Sequence, residues 1–237
     1  MKLGGILFFR MNSTRLPGKP LFKISKDTVI SVVVNRVKKI KALEHFCIAT
    51  SVENSDDPIE EEANKIGIDV VRGSLNDVMK RAIKAAEIFG YTDFIRLCGD
   101  RPFLDPNYYQ ELILIHKRLK NDLTTNIFPR TVPPGLSGEI INVKTLKSII
   151  PKVKDKKDKE HLTQYFYNNP EEFKIYNLDQ TNKFIPINYN LTLDTMNDYK
   201  KICWIYENLK KKDFFDIEKI MKLNIKWKNT NDNTWNT

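Results

Sequence analysis

The sequence has no hydrophobic run long enough to span a membrane. None of its apolar stretches approaches the ~20 residues that a transmembrane helix needs. The short apolar run Leu3–Phe9 stops at Arg10, without the small-residue cleavage site of a signal peptide. We therefore expect a buried first strand, in a cytoplasmic protein that has no membrane partner.

Cysteine and histidine are scarce, with three residues of each. The cysteine count is odd and no CxxC pair occurs, which argues against a disulfide framework and a zinc site and predicts reduced thiols. The histidines His45, His116 and His161 do not cluster in the sequence, so it indicates no Ser-His-Asp or Cys-His arrangement.

Three sequence motifs for binding nucleotides are also missing. The chain contains neither the Walker sequence GxxxxGK[ST] nor the dinucleotide fingerprint GxGxxG. It has no DxD metal motif, which disfavours a glycosyltransferase that uses a nucleotide sugar. Any nucleotide site in this protein must therefore be built differently.

Positive charge is plentiful but not arranged for nucleic acid. The chain carries 39 Lys and Arg residues against 30 Asp and Glu, a net charge of +9. The charge is mostly lysine and is spread along the chain, and the densest run, Lys152–Lys159, is interrupted by Asp155 and Asp158. This run lacks the interleaved aromatic residues of a stacking platform, so a solvated loop is the better interpretation. We expect no nucleic-acid partner, whereas a small polyanionic substrate can use such a basic field.

Strand-like and helix-like segments alternate along the first half of the chain. This order predicts an α/β protein with a mostly parallel sheet flanked by helices. We predict one domain over residues 1–225 and a frayed tail over 226–237. The predicted strands are Leu3–Phe9, Phe46–Thr50, Ile68–Val71, Asp93–Leu97 and Asn190–Asp194, and the predicted helices are Val29–Lys41, Asp56–Ile66, Asn76–Phe89, Asn107–Lys120, Val143–Ile150, Glu160–Asn168 and residues 197–210.

A loop dense in cations follows the first predicted strand. The segment Arg10-Met-Asn-Ser-Thr-Arg-Leu-Pro-Gly-Lys19 holds two arginines, a lysine and a Ser-Thr pair. Arg10 and Arg15 can each contact phosphate oxygens bidentately, and Lys19 supplies a mobile charge. Ser13 and Thr14 add hydroxyl and backbone donors. The loop therefore predicts a triphosphate site, with a solvated basic surface loop as the alternative.

Two acids are candidate metal ligands. Asp100 follows the predicted strand Asp93–Leu97, and Asp194 ends the predicted strand Asn190–Asp194. Magnesium prefers one or two carboxylates together with phosphate oxygens, so the pair suits a nucleotide site. The alternative for either acid is a structural role at a turn or a helix N-terminus. Asp105, before Pro106, fits that structural role as a helix cap.

Arg72 and Asp77 follow a further predicted strand, Ile68–Val71. Because the carboxyl ends of parallel strands share one edge of the sheet, Arg72 and Asp77 are expected to bind the nucleotide, with Arg72 reaching its phosphates or its base. The alternative is a turn followed by a helix that Ser74 or Asn76 caps.

Together these segments resemble the cytidylyltransferases that activate acidic sugars, such as the 3-deoxy-manno-octulosonate cytidylyltransferases, and more closely the spore coat polysaccharide biosynthesis protein F family. The likeness rests first on the highly specific segment from Arg10 to Leu21. Weaker segments follow in the same order over nearly the whole chain: Ile48-Ala-Thr-Ser51, Asp56-Asp57-Pro58-Ile59, Val71-Arg-Gly-Ser74 with Asp77-Val78 and Arg81, Arg96 to Pro106, Pro129 to Leu136 with Glu139, Glu160-His-Leu-Thr163, and Leu191-Thr-Leu-Asp-Thr195 with Asp198.

The resemblance implies a nucleotide-diphospho-sugar transferase fold, GT-A-like and Rossmann-like, that uses CTP and Mg²⁺. It assigns Arg10, Ser13, Arg15 and Lys19 to the triphosphate. It assigns metal roles to Asp100 and Asp194. Relatives often form homodimers through a segment placed like Asn126–Glu139, so a homodimer is expected. The expected catalytic residues are Arg10, Arg15, Lys19 and Asp100.

The sequence departs from the family pattern at three positions. Phe9 stands where relatives carry a small residue that lies against the nucleobase edge; with Phe8 it joins the expected nucleotide-binding residues. Cys98 stands in place of a common Thr, and Ser137 in place of a common Asp. These changes put the cytosine preference and the acceptor in question.

The sequence therefore predicts transfer of a nucleoside monophosphate, CMP from CTP, to an anionic acceptor such as an acidic sugar or a sugar phosphate. Pyrophosphate is the other product, and the pathway is surface polysaccharide or glycoconjugate biosynthesis. Arg130, Glu139 and His161 are the expected acceptor-binding residues. The alternatives are a transferase that uses another NTP and a non-catalytic regulatory protein that binds a nucleotide.

Overall fold

A computed structural model describes residues 1–153, 161–180 and 188–232. In chain order the strands are β1 (Leu3–Phe8), β2 (Lys23–Ile24), β3 (Asp27–Thr28), β4 (Phe46–Ser51), β5 (Val70–Gly73), β6 (Asp93–Cys98), β7 (Leu123–Thr125), β8 (Glu139–Asn142) and β9 (Ile175–Asn177). The helices are α1 (Val29–Val37), α2 (Asp57–Lys65), α3 (Val78–Phe89), α4 (Pro106–Leu119), α5 (Val143–Ile149), α6 (Gln164–Asn168), α7 (Met196–Asn208) and α8 (Ile217–Asp232). Short 3₁₀ turns occupy Lys19–Leu21, Asn54–Asp56, Ile150–Lys152, Pro170–Glu172 and Lys211–Asp213.

The main sheet is seven-stranded, in the order β5-β4-β1-β6-β8-β7-β9. Strands β5, β4, β1 and β6 are all parallel, as are β7 and β9, whereas β8 runs antiparallel to both β6 and β7. Strands β2 and β3 form a separate antiparallel pair. The predicted α/β fold with a mostly parallel sheet is therefore confirmed.

Strand β1 lies at the centre of the parallel half and is almost entirely buried. Its interior location requires close packing at Gly4, where an added Cβ would lie 2.1 Å from a ring atom of Tyr91. One buried cluster packs α1, α4 and α7 against one face of the sheet. A second cluster packs α3 and α5 against the other face. Burial on both faces explains why β1 reads as a continuous apolar run rather than an alternating one.

Two segments differ from the sequence expectation. Asn190–Asp194 is not a strand; it is held by single backbone hydrogen bonds, from Leu191 N–H to the Pro134 carbonyl (2.9 Å) and from Leu193 N–H to the Asp100 carbonyl (2.8 Å). Residues 226–232 continue helix α8 instead of beginning a frayed tail. The ring of Trp227 lies 5.5 Å from that of Trp204, and this contact secures the last helix against α7.

The other expectations in the second half have mixed outcomes. Strands β7, β8 and β9 were not predicted, because three- and four-residue strands are too short to show a period. The Pro- and Gly-rich segment Asn126–Ser137, expected from its composition to be a loop or a hairpin, contains no strand or helix and includes a cis Phe128–Pro129 peptide bond. Most of the lysine run Lys152–Lys159, and the start of the predicted helix Glu160–Asn168, lie outside the described residues.

Across residues 1–153, 161–180 and 188–232, none of the helices combines the length and the hydropathy that a membrane span requires.

Candidate active site

A cleft of about 510 Å³ opens at the carboxyl ends of β1 and β6. These strands are neighbours with Phe8 opposite Cys98, so the loops that follow them lie side by side. The cleft is lined by ten of the residues expected to form the site, namely Phe8, Phe9, Arg10, Ser13, Thr14, Arg15, Lys19, Asp100, His161 and Asp194. The loops that follow β1 and β6 therefore meet at one edge of the sheet, as the carboxyl ends of neighbouring parallel strands require.

The cation-rich loop is anchored to the protein by Asp56. This carboxylate accepts hydrogen bonds from Met11 N–H at 2.7 Å, from Ser51 N–H at 3.0 Å and from the Thr50 hydroxyl at 2.9 Å. The Ser51 hydroxyl donates a further bond of 2.5 Å. Met11 follows Arg10 directly, so Asp56 fixes the point at which the loop leaves strand β1.

Asp56 keeps a low pKa although it is buried. Burial favours the protonated form, but the hydrogen bonds from Met11, Ser51 and Thr50 outweigh that effect and lower the pKa of Asp56. In the sequence Asp56 is simply the first residue of a predicted helix. Its anchoring role depends on the contact with Met11, 45 residues away in the sequence, which no local pattern reports.

The loop then turns back toward the sheet at Gly18. This residue has φ 75°, in the left-handed region that glycine adopts without strain, and its N–H donates to the Met11 carbonyl at 2.9 Å. The 3₁₀ turn Lys19–Leu21 follows, and it places the Lys19 side chain inside the cleft with 14% of its area exposed. Arg15, by contrast, reaches in from the rim and is 65% exposed.

Lys19 lies between the two candidate metal ligands. Its ammonium nitrogen is 3.3 Å from Asp194 Oδ1 and 3.8 Å from Asp100 Oδ2, and it donates to the Leu193 carbonyl at 2.6 Å. Arg15 Nη2 lies 3.3 Å from Asp194 Oδ2. Two carboxylates far apart in the sequence therefore converge on a single cation.

Asp194 is free to face the cleft because it does not cap the helix that follows it. Helix α7 is capped by Thr195, whose side chain accepts from Asp198 N–H, while the Asp198 carboxylate accepts from Thr195 N–H at 2.9 Å. This capping box leaves the Asp194 carboxylate to face Lys19 and Arg15. The alternative in which Asp194 caps the helix is thus wrong, whereas Asp105 caps α4 as expected.

Phe9 packs against the backbone beside Asp100. The side chain is 5% exposed, and a Cβ added to Gly99 would lie 2.1 Å from two of its ring carbons. A glycine at 99 is therefore needed for the ring to occupy this position. The phenyl ring forms part of the cleft floor.

Arg72 and Asp77 do not line the cleft. The Arg72 guanidinium binds the Asp57 carboxylate at 2.6 Å and that of Glu60 at 2.9 Å, and it also donates to two backbone carbonyls. Asp77 is the N-cap of α3 and accepts from Lys80 N–H at 2.9 Å. Both residues have the structural roles that the sequence left as alternatives, although the cap is Asp77 rather than Ser74 or Asn76.

The three expected acceptor-binding residues lie in different surroundings. His161 lines the cleft. Arg130 is exposed outside it and donates to the Ser137 hydroxyl at 3.0 Å. Glu139 is only 2% exposed and binds Arg96 at 2.9 Å, Thr163 at 2.6 Å and Tyr167 at 2.7 Å. Burial favours the neutral acid, yet Arg96 and the hydroxyl donors lower the pKa of Glu139.

Two arginines that line the cleft were given no role by the sequence. Arg96 lies on β6 and is held by Glu139, and Arg81 lies on the buried face of α3. Arg96 interrupts the otherwise apolar run of β6, and that anomaly was the available signal, whereas Arg81 follows Lys80 on an amphipathic helix and has no such signal in the sequence. With Arg10, Arg15 and Lys19 they give the cleft five cationic side chains against the carboxylates of Asp100 and Asp194.

The donor set at the cleft suits a hard divalent cation that arrives with phosphate. Asp100 and Asp194 already converge on one cation, the Lys19 ammonium. Among the residues that the structure describes, no three His, Cys, Asp or Glu side chains are grouped to hold a metal. A pair of carboxylates completed by phosphate oxygens is the arrangement magnesium commonly takes in nucleotide sites. The residues present therefore fit the ion.

Comparison with known proteins agrees with this arrangement. Residues 5–232 match the family described as Cytidylyltransferase. The spore coat polysaccharide biosynthesis protein SpsF of Bacillus subtilis is 34% identical over 214 residues, which cover 86% of this chain and 88% of SpsF. The structure of a cytidylyltransferase from Leptospira borgpetersenii serovar Hardjo-bovis superposes with a TM-score of 0.87 at 30% identity, covering 95% of this chain and 96% of that chain.

A more distant solved structure shares the fold alone. It is a CMP:2-keto-3-deoxy-manno-octonic acid synthetase complexed with CTP, with a TM-score of 0.65 at 14% identity over 87% of this chain and 99% of that chain. The family match spans nearly all of the sequence, and the resemblance seen in the sequence motifs is confirmed. The chain belongs to the cytidylyltransferase family and is a nucleotidyltransferase.

Proposed function

We propose that this protein transfers CMP from CTP to an anionic acceptor, an acidic sugar or a sugar phosphate, and releases pyrophosphate. The observation that carries the proposal is the convergence of Lys19, Asp100 and Asp194 in a cleft that is otherwise cationic. A triphosphate needs cations to offset its charge, and nucleotidyl transfer needs further stabilisation of the leaving pyrophosphate.

In this proposal the loop residues hold the triphosphate. Arg10 and Arg15 bind phosphate oxygens through their planar guanidinium groups, while Ser13 and Thr14 supply hydroxyl and backbone donors. Lys19 neutralises charge that develops on the leaving group. The acceptor oxygen attacks the α-phosphorus in line, and the bond from that phosphorus to the β-phosphate's bridging oxygen breaks.

Asp100 and Asp194 are the residues that would hold Mg²⁺. When bound, the ion supplies charge neutralisation at the phosphates and a lowered pKa for the acceptor hydroxyl. The two carboxylates are fixed for this task by the backbone, since Leu193 N–H donates to the Asp100 carbonyl at 2.8 Å. Lys19 balances both acids when no nucleotide is present.

The acceptor is the least constrained part of the proposal. His161 and Arg96 line the cleft and are the side chains best placed to grip a carboxylate or a phosphate on the acceptor. Glu139 acts through Arg96, because its own carboxylate is buried. Arg130 lies outside the cleft and stays a weaker candidate. The name of the Bacillus relative supports a place in polysaccharide biosynthesis.

The oligomeric state and the cellular location remain predictions. A homodimer that uses the segment Asn126–Glu139 and a cytoplasmic location are both expected from the sequence. Size-exclusion chromatography with light scattering would test the first, and a mass near that of one chain would contradict it.

The test of the reaction is a pyrophosphate-release assay with the four ribonucleoside triphosphates against a panel of acidic sugars and sugar phosphates. We expect release with CTP and at least one acceptor, and we expect Arg15→Ala to weaken nucleotide binding. The matched control is Arg118→Ala, at an exposed position on α4. No turnover with any pair, together with unchanged nucleotide binding by Arg15→Ala, would contradict the proposal.

A further inference from the structure

Arg81 has a feature that its structural contacts do not account for. Its side chain lines the cleft and the residue is 4% exposed. Its Nε–H is the one buried side-chain nitrogen or oxygen group without a hydrogen-bond partner among the residues that the structure describes. Its Nη1 donates to the Ser74 carbonyl at 3.2 Å. Buried donors are nearly always paired in folded proteins, so this N–H calls for an acceptor that arrives from elsewhere.

The surroundings of Arg81 differ from those of the two acids. The guanidinium carbon lies 5.7 Å from the centre of the Phe8 ring, and Val78, one turn earlier on α3, also lines the cleft. Burial lowers the pKa of Arg81; nearby Asp56 opposes this shift and Arg10 adds to it. The guanidinium nevertheless stays charged, because the usual arginine pKa is far above neutrality. An aromatic ring, an aliphatic side chain and a planar donor suit a flat heterocycle better than a tetrahedral phosphate.

We propose that Arg81 recognises the cytosine ring of CTP, with its Nε–H edge directed at the acceptors N3 and O2. This inference rests on the proposed function, since it assigns the base end of the same nucleotide site. The covalent geometry of a guanidinium places the Nε hydrogen and one Nη hydrogen side by side, and such a fork pairs with two adjacent acceptors. Because the Nε atom is buried in this structure, the proposal requires the guanidinium to turn toward the cleft when the base enters.

This contact distinguishes cytosine from uracil. Cytosine presents two acceptors side by side, N3 and O2. Uracil carries a hydrogen on N3 and would set a donor against the Arg81 donor. A site with buried donors rejects a ligand that leaves them unpaired more strongly than an apolar pocket rejects a ligand of the wrong size. Base preference would then reside on α3 at Arg81, and not only at Phe9.

The experiment compares nucleotide binding by the wild type, Arg81→Lys and Arg118→Lys, with Mg²⁺ present. The ligands are CTP, UTP and inorganic tripolyphosphate. Arg81→Lys keeps the positive charge but loses the fork. We expect it to weaken CTP binding about 10- to 100-fold, to leave tripolyphosphate binding unchanged and to reduce the preference for CTP over UTP. Arg118→Lys, at an exposed arginine on α4, should behave as the wild type.

A ligand-side test does not depend on whether the variant folds. The triphosphate of 3-deazacytidine replaces the N3 acceptor with a C–H group, and we expect the wild type to bind it about tenfold or more weakly than CTP. Equal affinity for the two nucleotides would overturn the assignment, as would an Arg81→Lys variant that binds CTP normally or loses tripolyphosphate equally. A wild type that binds CTP no better than tripolyphosphate would instead overturn the proposed function.

Discussion

The anchoring of the cation-rich loop by Asp56 leads to a quantitative prediction. Asp56→Ala removes the acceptor of four hydrogen bonds, from the N–H groups of Met11 and Ser51 and from the hydroxyls of Thr50 and Ser51. The hydroxyls can rotate toward other partners. The two backbone N–H groups cannot, so they determine the cost of the substitution.

The expected loss of stability follows from those two N–H groups. A buried donor left without an acceptor costs about 1–3 kcal/mol, which gives about 2–6 kcal/mol for the pair. Met11 is partly exposed and can recruit water, whereas Ser51 is fully buried. We therefore expect a loss in the lower half of that range, about 2–4 kcal/mol of a total stability of about 5–15 kcal/mol. The loop should also loosen, and CTP binding should weaken more than the change in stability alone explains.

The assay is urea unfolding of the wild type, Asp56→Ala and the control Glu61→Gln, which changes an exposed carboxylate on the same helix, α2. Hydrogen exchange at Met11 reports on the loop directly. A loss below about 1 kcal/mol, or unchanged protection at Met11, would refute the anchoring role.

The contribution of Asp56 to stability should depend on pH in one direction only. The pKa of Asp56 is lowered in the folded protein, so its contribution is present above the unfolded value of about 3.9 and is lost as the pH falls toward the folded value. The stability difference between the wild type and Asp56→Asn should therefore be largest above about pH 4 and shrink below it. A difference that grows on acidification would contradict the ionised state.

Three further predictions concern the cleft and the sheet beneath it. Gly99→Ala should displace the Phe9 ring, lower the free energy of unfolding by about 1–3 kcal/mol and weaken nucleotide binding. Urea unfolding and CTP titration measure the two effects, and adding Phe9→Leu to the same chain should restore part of the lost stability. Cys98 lines the cleft, so alkylation with iodoacetamide should abolish activity and CTP should protect, whereas equal labelling rates with and without CTP would count against the site. Asp93 is buried, and against the effect of burial its pKa is lowered by hydrogen bonds led by that with His116. Asp93→Asn should therefore cost about 1–3 kcal/mol near neutrality and less at low pH, and a loss that does not depend on pH would contradict this.

The sequence located the part of the cleft around Arg10 and Asp100 because that part is built from residues that follow strands. Arg10 and Asp100 each lie two residues beyond the end of a strand, β1 and β6 respectively, and neighbouring parallel strands must bring such loops together. The place of Asp194 in the cleft could be predicted only in part from the sequence, because the strand predicted to end at Asp194 does not form. Its position depends on backbone bonds to Pro134 and Asp100, which are contacts between distant segments.

Other features of the cleft were beyond sequence reasoning for physical reasons. Arg72 follows the predicted strand but lies inside the observed strand β5, and Asp57 and Glu60 bind its guanidinium away from the cleft. Asp56 is the first residue of a predicted helix, and its anchoring role emerges only from its hydrogen bonds to β4 and to the loop. Arg81 reads as one more charged residue of an amphipathic helix, and only the unpaired Nε–H shows that it differs.

The central claim is that Asp100 and Asp194 bind the metal that accompanies the triphosphate. Calorimetric titration of CTP, with and without Mg²⁺, into the wild type and the double variant Asp100→Asn with Asp194→Asn tests it most directly. We expect Mg²⁺ to raise the CTP affinity of the wild type by about tenfold or more, equivalent to about 1.4 kcal/mol. The double variant should show no such gain, and without Mg²⁺ it should bind CTP at least as well as the wild type, because two negative charges have been removed. A double variant that keeps the full response to Mg²⁺ would contradict the claim.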